Sequence, residues 1–505
     1  MNAYLTQGLH RAVQRDPQAI ATICGDQVRT FAEHADRVAR IAGALHELGV
    51  APDDRVAVLA NNSDRYIELL LAVAWADAVM VPLNTRWSPA EIDHAIRDCR
   101  PVVLFTDDAL AATAAQLSPH GVVTVQMGDT MTNAPHLERL LAHADPIPDA
   151  RRGGASPAGI FYTGGTTGLP KGVVLSHTNV LTSALGSAST GWFYGPQDRV
   201  LHVAPLFHVA AFTSWVLGWV AGCSHVILPG FTPDAVLDAV QRHRVTATSL
   251  VPTMIGRLFA DPGLTARDVT SLQRIIYGAS AMPEATVRRA LATLPGVEFV
   301  QAYGMTELSP VATILGPAEH VPELLRSAGR AAPHAEVRIA GPDDDDLPTG
   351  AIGEVVVRGA QVMLGYWNRP EETERALAGG WMHTGDAGYL DADGYLFVVD
   401  RIKDMIITGG ENVYSAEVEN ALASHPAVES CAVIGLPDPD WGERVHAVVV
   451  AVAPVTEQEL RDHVHTLIAG YKTPRSVEFV DALPISGAGK ILKNELRKTR
   501  TTSVG

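Results

Sequence analysis

Short apolar segments alternate with amphipathic helices over the first 106 residues, and this alternation restricts the fold more than any other feature. Thr30 and Glu33 have the spacing of a capping box and predict a helix that ends near Gly49. Ser63 and Ser88 predict the starts of two further helices. The intervening segments predict strands at 55–60, 79–83 and 102–106. Strands that are apolar on both faces are covered by helices on both sides, so the alternation predicts parallel sheets.

A second series of strands follows, and the chain then changes character twice. These strands are predicted near residues 200–204, 225–228, 246–251, 274–277 and 298–301. From about Val337 strands dominate, which indicates a smaller β-sheet or barrel. After Asp400 we expect a small α+β unit with helices at 415–422 and 456–468, strands at 428–434, 445–451 and 476–479, and a frayed end at 497–505.

The predicted fold class is therefore α/β. A large N-terminal domain, residues 1–402, contains doubly wound parallel sheets and a small β-rich subdomain, and a small α+β C-terminal domain covers residues 403–505. A chain of 505 residues exceeds what one hydrophobic core usually supports, which favours this division.

Charge and composition exclude several functional classes. The net charge of −17 disfavours a nucleic-acid or anionic-membrane partner, because the only compensating basic run is the short tail at 490–500. The four cysteines lack CxxC spacing, and the first 13 residues lack a secretory signal, so we expect reduced thiols in a cytoplasmic protein. The uncharged stretch between Arg199 and Asp234 is interrupted by prolines and glycines, which favours buried core or a substrate pocket over a transmembrane segment.

The segment from Tyr162 to Val173, YTGGTTGLPKGV, has the composition of a phosphate-binding loop. Glycines let backbone N–H groups approach phosphate oxygens, the threonines add hydroxyl donors, and Lys171 adds a positive charge. It is not a Walker P-loop, because Pro170 precedes the lysine and Gly172 follows it. Taken alone, the segment is also compatible with a polar hairpin that joins two strands.

Four further motifs follow in order: YGMTE at 303–307, TGD at 384–386, DRIKDMIITGGEN at 400–412 and GAGK at 487–490. With the glycine-rich loop, they resemble the adenylate-forming superfamily, which includes acyl-CoA synthetases, amino-acid adenylation domains and luciferases. The resemblance covers nearly the whole chain. It implies activation of a carboxylic acid by ATP, release of pyrophosphate, and transfer of the acyl group to a thiol.

The resemblance implies roles for individual residues in the first half-reaction. Catalysis is assigned to Lys490, His208, Glu307 and Thr163, with Glu307 as the Mg²⁺ ligand. The residues expected to bind the triphosphate are Thr163, Gly165, Thr166, Thr167, Gly168 and Lys171. The family usually has Ser at the position of Gly164, so one hydroxyl is missing here. Without the motif context, Glu307 and Lys490 are read as solvated charges and His208 as a core residue.

The nucleoside is expected between two of these motifs. Tyr303 resembles the aromatic residue that stacks on adenine, and Gly278 and Ala279 would line the opposite side of that slot. Gly304 and Thr306, in the same motif as Tyr303, are assigned to the nucleotide as well. Asp386 would accept hydrogen bonds from the ribose, and Arg401 would donate to it; as an alternative, Asp386 caps a turn.

A second set of residues is implied for the thiol step. Lys403 occupies the hinge position, about which a mobile small domain would rotate after adenylation. The rotation would present the loop 408–412, whose Gly409 and Gly410 let the backbone pass close to the pantetheine arm of coenzyme A. Trp441 resembles a residue near the CoA nucleotide, although a lone Trp is more often a core residue.

The acyl pocket is expected to be small-sided and uncharged. Its predicted residues are Gly186, His208, Val209, Ala210, Phe212, Ala302, Ser309 and Pro310, with Gly186 leaving room for the distal part of the acid. Segment 205–213 contains neither the Asp typical of amino-acid adenylation domains nor an Arg suited to a short dicarboxylate. The pocket therefore favours an apolar acid, either a medium- or long-chain fatty acid or an aryl or arylacrylic acid.

The sequence thus predicts an ATP-dependent carboxylic acid:CoA ligase that uses ATP, Mg²⁺ and coenzyme A. Two alternatives stay open: an adenylation enzyme that loads a carrier protein, and a non-catalytic nucleotide-binding relative. The expected partners are small molecules rather than nucleic acid or membrane, and both a monomer and a homodimer are compatible with the sequence.

Overall fold

The computed structural model describes residues 3–117, 121–163, 169–486 and 491–501. The helices of this part of the chain are α1 Gln7–Arg15, α2 Phe31–Glu47, α3 Asp64–Trp75, α4 Pro89–Cys99, α5 Ala111–Gln116, α6 Leu137–His143, α7 His177–Ser189, α8 Val209–Ala221, α9 Pro233–His243, α10 Pro252–Ala260, α11 Gly263–Ala266, α12 Glu284–Thr293, α13 Pro370–Ala376, α14 Ser415–Ala423, α15 Glu457–Leu467 and α16 Lys493–Thr501.

The strands of the described residues form four sheets. Their bounds are β1 Ile20–Cys24, β2 Gln27–Thr30, β3 Arg55–Leu59, β4 Val79–Pro82, β5 Val103–Thr106, β6 Val123–Gln126, β7 Pro157–Thr163, β8 Lys171–Ser176, β9 Arg199–His202, β10 Ser224–Ile227, β11 Ala247–Leu250, β12 Arg274–Gly278, β13 Glu298–Gly304, β14 Val311–Leu315, β15 Arg330–Ala331, β16 Glu336–Ala340, β17 Gly353–Arg358, β18 Gly365–Tyr366, β19 Met382–Leu390, β20 Leu396–Arg401, β21 Ile406–Thr408, β22 Glu411–Val413, β23 Val428–Asp438, β24 Gly442–Ala451 and β25 Ser476–Phe479.

Two large sheets carry the predicted parallel βα architecture. The first has the order β18-β8-β7-β4-β3-β5-β6 and is parallel from β7 to β6. The second has the order β15-β14-β13-β12-β11-β9-β10-β1-β2, with a parallel centre and antiparallel edges. Strands β1 and β2 thus belong to the second sheet, where β1 pairs with β10. The local pattern of apolar residues does not predict this long-range pairing.

The predicted helix starts are confirmed where a capping box specifies them. Thr30 and Glu33 bond each other's backbone at the start of α2, and Ser88 and Glu91 do the same at α4. Helix α8 lies in the uncharged stretch and is almost wholly buried, with Trp215 and Trp219 at 1% exposure. No helix among the described residues is both long enough and apolar enough to cross a membrane.

The remaining strands form two smaller sheets. The β-rich segment is the antiparallel sheet β16-β17-β19-β20. The C-terminal segment forms the sheet β22-β21-β24-β23 with β25 beside β24, and α14, α15 and α16 pack on it. The expectation of a frayed end at 497–505 is wrong for residues 497–501, because α16 continues to Thr501 and Arg497 bonds Asp404 at 2.7 Å. Residues 502–505 lie outside the described part of the chain. All four cysteines are free thiols, as expected.

Candidate functional site

The candidate site lies where the carboxyl ends of strands from both large sheets meet, the usual place for ligands in doubly wound proteins. Strand β7 ends at Thr163 and β8 begins at Lys171, and these two residues are antiparallel partners. The loop between them is therefore a hairpin connection as well as the predicted phosphate loop. Gly164, Gly165, Thr166, Thr167 and Gly168 lie outside the described residues, as does Lys490.

Lys171 is held by two neighbours that follow it by about two hundred residues. Its Nζ lies 2.8 Å from Glu372 Oε2, on α13, and 4.5 Å from the centre of the Tyr366 ring, on β18. The hydrogen bond from Lys171 lowers the pKa of Glu372 below its ordinary value. The ammonium is thus already paired with an anionic oxygen at the position where a phosphate oxygen is expected.

Glu307 connects to the same cluster through Tyr366. The Tyr366 hydroxyl donates to Glu307 Oε1 at 2.8 Å, and Glu307 is only 6% exposed. Burial, and then the nearby charge of Glu307, raise the pKa of Tyr366, so it is a hydrogen-bond donor at neutral pH.

This carboxylate fits a magnesium ion that takes its other ligands from phosphates and water. Mg²⁺ in nucleotide sites is held by one or two carboxylates together with substrate phosphates. No group of three or more potential ligand side chains occurs in the described part of the chain, so a site built from protein side chains alone is absent there. Glu307 would supply the protein oxygen, and the metal would neutralise phosphate charge.

A second cluster consists of Tyr303, Asp386 and Arg401. Tyr303 precedes Glu307 by four residues in the sequence. The Tyr303 hydroxyl donates to Asp386 Oδ2 at 2.6 Å, and Arg401 Nε lies 2.6 Å from Asp386 Oδ1. Burial raises the pKa of Tyr303 well above its ordinary value. Asp386 is 4% exposed, and its contacts with Tyr303 and Arg401 leave carboxylate lone pairs that the predicted ribose hydroxyls would use.

The backbone around Tyr303 leaves no room for larger side chains. A Cβ on Gly304 would lie 1.8 Å from the Pro310 carbonyl oxygen, and one on Gly278 would lie 2.1 Å from the Ala302 carbonyl oxygen. Ala279 adopts a left-handed φ of +67°, and Thr306 opens a single 3₁₀ turn that presents Glu307. These constraints keep both sides of the predicted adenine slot narrow.

The predicted acyl-pocket residues lie on α7, α8 and around β13. His208 precedes the first turn of α8 and packs on Phe207 with ring centres 4.6 Å apart. Val209 is buried and Ala210 exposed, while Phe212 packs in the core against Phe161 at 5.0 Å. Ser309 is fully buried, and it donates to the Gln361 carbonyl and accepts from Thr213.

The space beside Gly186, which was expected to be open for the acid, is occupied. A Cβ on this residue would lie 2.1 Å from His334 Nδ1, so the imidazole fills the volume beside the glycine. His334 is fixed there by a 2.9 Å hydrogen bond between its Nε2 and the Val311 carbonyl. The expectation that Gly186 leaves room for the acid is wrong in this structure, and the sequence offered no sign that a residue 148 positions later occupies this space.

The predicted thiolation loop and Trp441 are in direct contact. Gly409 has a φ of +62°, its N–H donates to the Trp441 carbonyl at 2.8 Å, and a Cβ on it would lie 2.6 Å from Trp441 Cε3. The Trp441 side chain is 45% exposed, and the Arg475 guanidinium covers its ring at 4.3 Å. A half-exposed indole under an arginine, beside a two-glycine turn, is suited to an anionic, aromatic nucleotide.

Lys403 lies in the 3₁₀ turn Ile402–Asp404 that connects β20 to β21. Burial lowers the pKa of Lys403, and the neighbouring Arg401 acts in the same direction. Lys403 therefore lies between the cluster of Tyr303, Asp386 and Arg401 and the C-terminal sheet, where a hinge is expected.

Sequence reasoning missed three contact residues of this site: Tyr366, Glu372 and Arg475. None belongs to the five motifs. Tyr366 and Glu372 lie in GYWNRPEE, between β17 and β19 of the β-rich segment, and a Tyr and a paired acid give no local signal of their distant partners. Their roles depend on tertiary contacts.

Comparison with known protein families identifies the family of this chain. Residues 9–367 match the family model "AMP-binding enzyme", and residues 417–490 match "AMP-binding enzyme C-terminal domain". The chain belongs to the AMP-binding enzyme family. The cosubstrates of this ATP-dependent ligase family are ATP and coenzyme A, and Mg²⁺ is its usual metal.

Relatives of this AMP-binding enzyme span its whole length. It is 43% identical over 491 residues to a feruloyl-CoA synthase of an Amycolatopsis species, with 97% of each chain covered. It is 38% identical to the fatty acid–[acyl-carrier-protein] ligase ScoC of Streptomyces coeruleorubidus, covering 96% of this chain and 94% of the relative. The crystal structure of ATP-bound MatB from Rhodopseudomonas palustris superposes with a TM-score of 0.91 at 32% identity, covering 100% of both chains.

Proposed function

We propose that this AMP-binding enzyme is a carboxylic acid:CoA ligase that acts through an acyl-adenylate on an aryl or arylacrylic acid. The observation that carries the proposal is the pair of clusters at the end of β13. Tyr303 donates to Asp386, which also pairs with Arg401, and four residues later Glu307 accepts from the hydroxyl of Tyr366, whose ring contacts Lys171.

These clusters suit the chemistry of adenylation. Attack of a carboxylate on an α-phosphate brings two anions together, so cations must be in place before the reaction. Lys171 and a Mg²⁺ ion on Glu307 would hold the leaving pyrophosphate, and Asp386 with Arg401 would fix the ribose. The α-phosphate would then lie between the two clusters.

Coenzyme A is favoured as the acceptor by the contact between Gly409 and Trp441. The loop that would guide the pantetheine arm touches an indole that is half-exposed and covered by Arg475. A nucleotide can stack on such a ring and pair its phosphates with the guanidinium, whereas a carrier protein offers no nucleotide to this surface.

The aryl preference rests on the pocket and on the relatives. The pocket residues are uncharged, His334 fills the space beside Gly186, and a feruloyl-CoA synthase shares 43% identity with the chain. A filled distal space favours a compact, rigid acid over a long flexible chain.

The proposal is tested by screening acids for pyrophosphate release with and without coenzyme A. Cinnamic, hydroxycinnamic and benzoic acids would be compared with fatty acids of six to sixteen carbons. We expect pyrophosphate release to become multiple-turnover only with coenzyme A, and kcat/KM to be highest for the arylacrylic acids. Highest values for long fatty acids would contradict the substrate class.

Loading of a carrier protein is the second candidate, because ScoC shares 38% identity over nearly the same length. The screen separates the two functions when a phosphopantetheine-bearing carrier protein replaces coenzyme A. Turnover with the carrier that exceeds turnover with coenzyme A would favour this second function.

A further inference from the structure

Three hydroxyl groups meet beside the second large sheet. One lies in the connection between α7 and β9, one on α8 and one on β11. Tyr194 Oη lies 2.7 Å from Ser214 Oγ and 2.8 Å from Ser249 Oγ, and the two serine oxygens are 3.1 Å apart. We call this arrangement the hydroxyl triangle. Tyr194 is 7% exposed and both serines are half-buried.

The hydroxyl triangle includes a residue of a large hydrophobic core, so its position is informative. Val209, Phe212 and Ile276 belong to one hydrophobic core together with Tyr194. A lone set of polar groups in such a core costs free energy unless its members bond each other or a ligand. Each hydroxyl donates once and can accept twice, so the triangle satisfies its donors and keeps accepting capacity.

Helix α8 places Ser214 at the acyl pocket. Ser214 follows Ala210 by four residues, so the two side chains lie on the same face of the helix. Ala210 is exposed and belongs to the proposed pocket, and the intervening Thr213 donates to the Ser309 carbonyl. This face of α8 therefore turns toward the residues proposed to bind the acid.

The sheet places Ser249 on the same wall. Ser249 pairs with Ile276 across β11 and β12, and Gly278 pairs with Ala302 across β12 and β13. Paired residues, and residues two apart, project from the same face of a sheet, so Ser249, Gly278 and Ala302 share one face. Ile276 precedes Gly278 by two residues, which places Ser249 roughly 7 Å deeper than the predicted adenine slot.

We propose that the hydroxyl triangle is the polar end of the acyl pocket and that it recognises a phenolic hydroxyl on the ring of an arylacrylic acid. This inference rests on the proposed function. A ring hydroxyl can donate to an oxygen of the triangle, which keeps accepting capacity, whereas an unsubstituted ring or an alkyl chain cannot make this bond. Burial raises the pKa of Tyr194 to about 12, so its hydroxyl keeps its proton throughout the working range.

The test compares Tyr194→Phe with the wild type on 4-hydroxycinnamic acid and cinnamic acid, which differ only in the ring hydroxyl. We expect kcat/KM for the hydroxylated acid to fall by on the order of tenfold to a hundredfold, because a site built for a hydroxyl discriminates strongly. The value for cinnamic acid should stay within roughly threefold, and Ser249→Ala should change the ratio in the same direction.

Tyr66→Phe is the matched control. Tyr66 is also buried, at 1% exposure, and within the described residues its hydroxyl has no partner. The control should leave both acids unchanged. Equal loss for both acids in Tyr194→Phe, or no wild-type preference for the hydroxylated acid, would overturn the hydroxyl triangle as a recognition site. A wild type that adenylates only non-aromatic acids would instead overturn the proposed substrate class.

Discussion

At the scale of single residues, the ion pair between Lys171 and Glu372 stands out because it uses the charge that ATP would need. Both side chains are about 30% exposed, so the pair is accessible to solvent and to a ligand. An exposed ion pair contributes at most about 1 kcal/mol. A triphosphate with a magnesium ion can therefore displace the carboxylate at small cost.

We predict that Glu372→Gln strengthens ATP binding by roughly two- to fivefold, because an ion pair of this kind must be broken before a phosphate binds Lys171. Isothermal titration of magnesium-ATP in the absence of acid measures the effect. Glu371→Gln is the matched control, since it removes the same charge from an exposed neighbouring position on α13. Weaker binding in Glu372→Gln alone would show that the carboxylate orients the lysine for ATP.

Single residues also show what short motifs predict and what they miss. Tyr303, Asp386, Arg401 and Glu307 were assigned from short motifs, and the structure brings all four to the end of β13. The prediction of open space beside Gly186 was wrong because His334 fills that space, and His334 belongs to no motif. A motif records which residues a reaction needs, whereas the volume beside a residue depends on the packing of distant segments.

At the scale of elements, local signals set the helices and most strands. The capping boxes at Thr30 and Ser88 fix helix starts because their hydrogen bonds involve only neighbours. The end of α16 could not be predicted, because Arg497 and Arg500 are held by Asp404 and Glu478, which are distant in the chain. A basic terminal segment is therefore helical here through tertiary ion pairs.

The turn between β21 and β22 carries the second prediction. Gly409→Ala should slow thioester formation by about tenfold or more, because the added methyl group displaces Trp441 and strains a left-handed residue. Pyrophosphate release in a single turnover should persist. The two steps are followed separately by supplying acid with ATP, or a preformed acyl-adenylate with coenzyme A.

Gly410→Ala separates strain from displacement. Gly410 has a φ of +86°, but nothing lies within 4 Å of its added Cβ, so this variant has the strain without the clash. We expect a smaller defect than in Gly409→Ala. Equal defects would assign the effect to backbone strain, and a loss of adenylation in both would place the loop in the first half-reaction.

At the scale of the whole molecule, a column of four rings connects α2 and α8 to the second large sheet. His34 on α2 stacks on Trp219 at 4.8 Å, Trp219 on His225 at 4.6 Å, and His225 on His202 at 5.1 Å. Burial lowers the pKa of His34 and of His202 to about 3, and that of His225 well below its ordinary value. The folded protein therefore keeps these rings neutral.

This column predicts a loss of stability in acid. The unfolded chain binds protons at histidine below about pH 6.5 while the folded column does not, so the free energy of unfolding falls as the pH decreases from 6.5 toward 3. His34→Leu should reduce the loss between pH 7 and pH 5 by about 2 kcal/mol. Urea denaturation at the two pH values measures it.

The exposed His143, at the end of α6, supplies the control for this measurement. His143→Leu should leave the difference between the two pH values unchanged, because this exposed side chain lies outside the buried column. If His34→Leu also left the loss of unfolding free energy between pH 7 and pH 5 unchanged, the histidines of the column would be protonated in the folded protein.

The position of β18 has a consequence for the synthesis of the protein. This two-residue strand completes the first sheet by pairing with Val173 and Val174 of β8. Glu372, the partner of Lys171, follows it in the sequence by 201 residues. While the ribosome makes the intervening segment, an apolar strand edge stands open, and such edges template wrong pairing. Nascent chains that stop before residue 365 should therefore aggregate through β8, and this enzyme should depend on chaperones until translation passes that point.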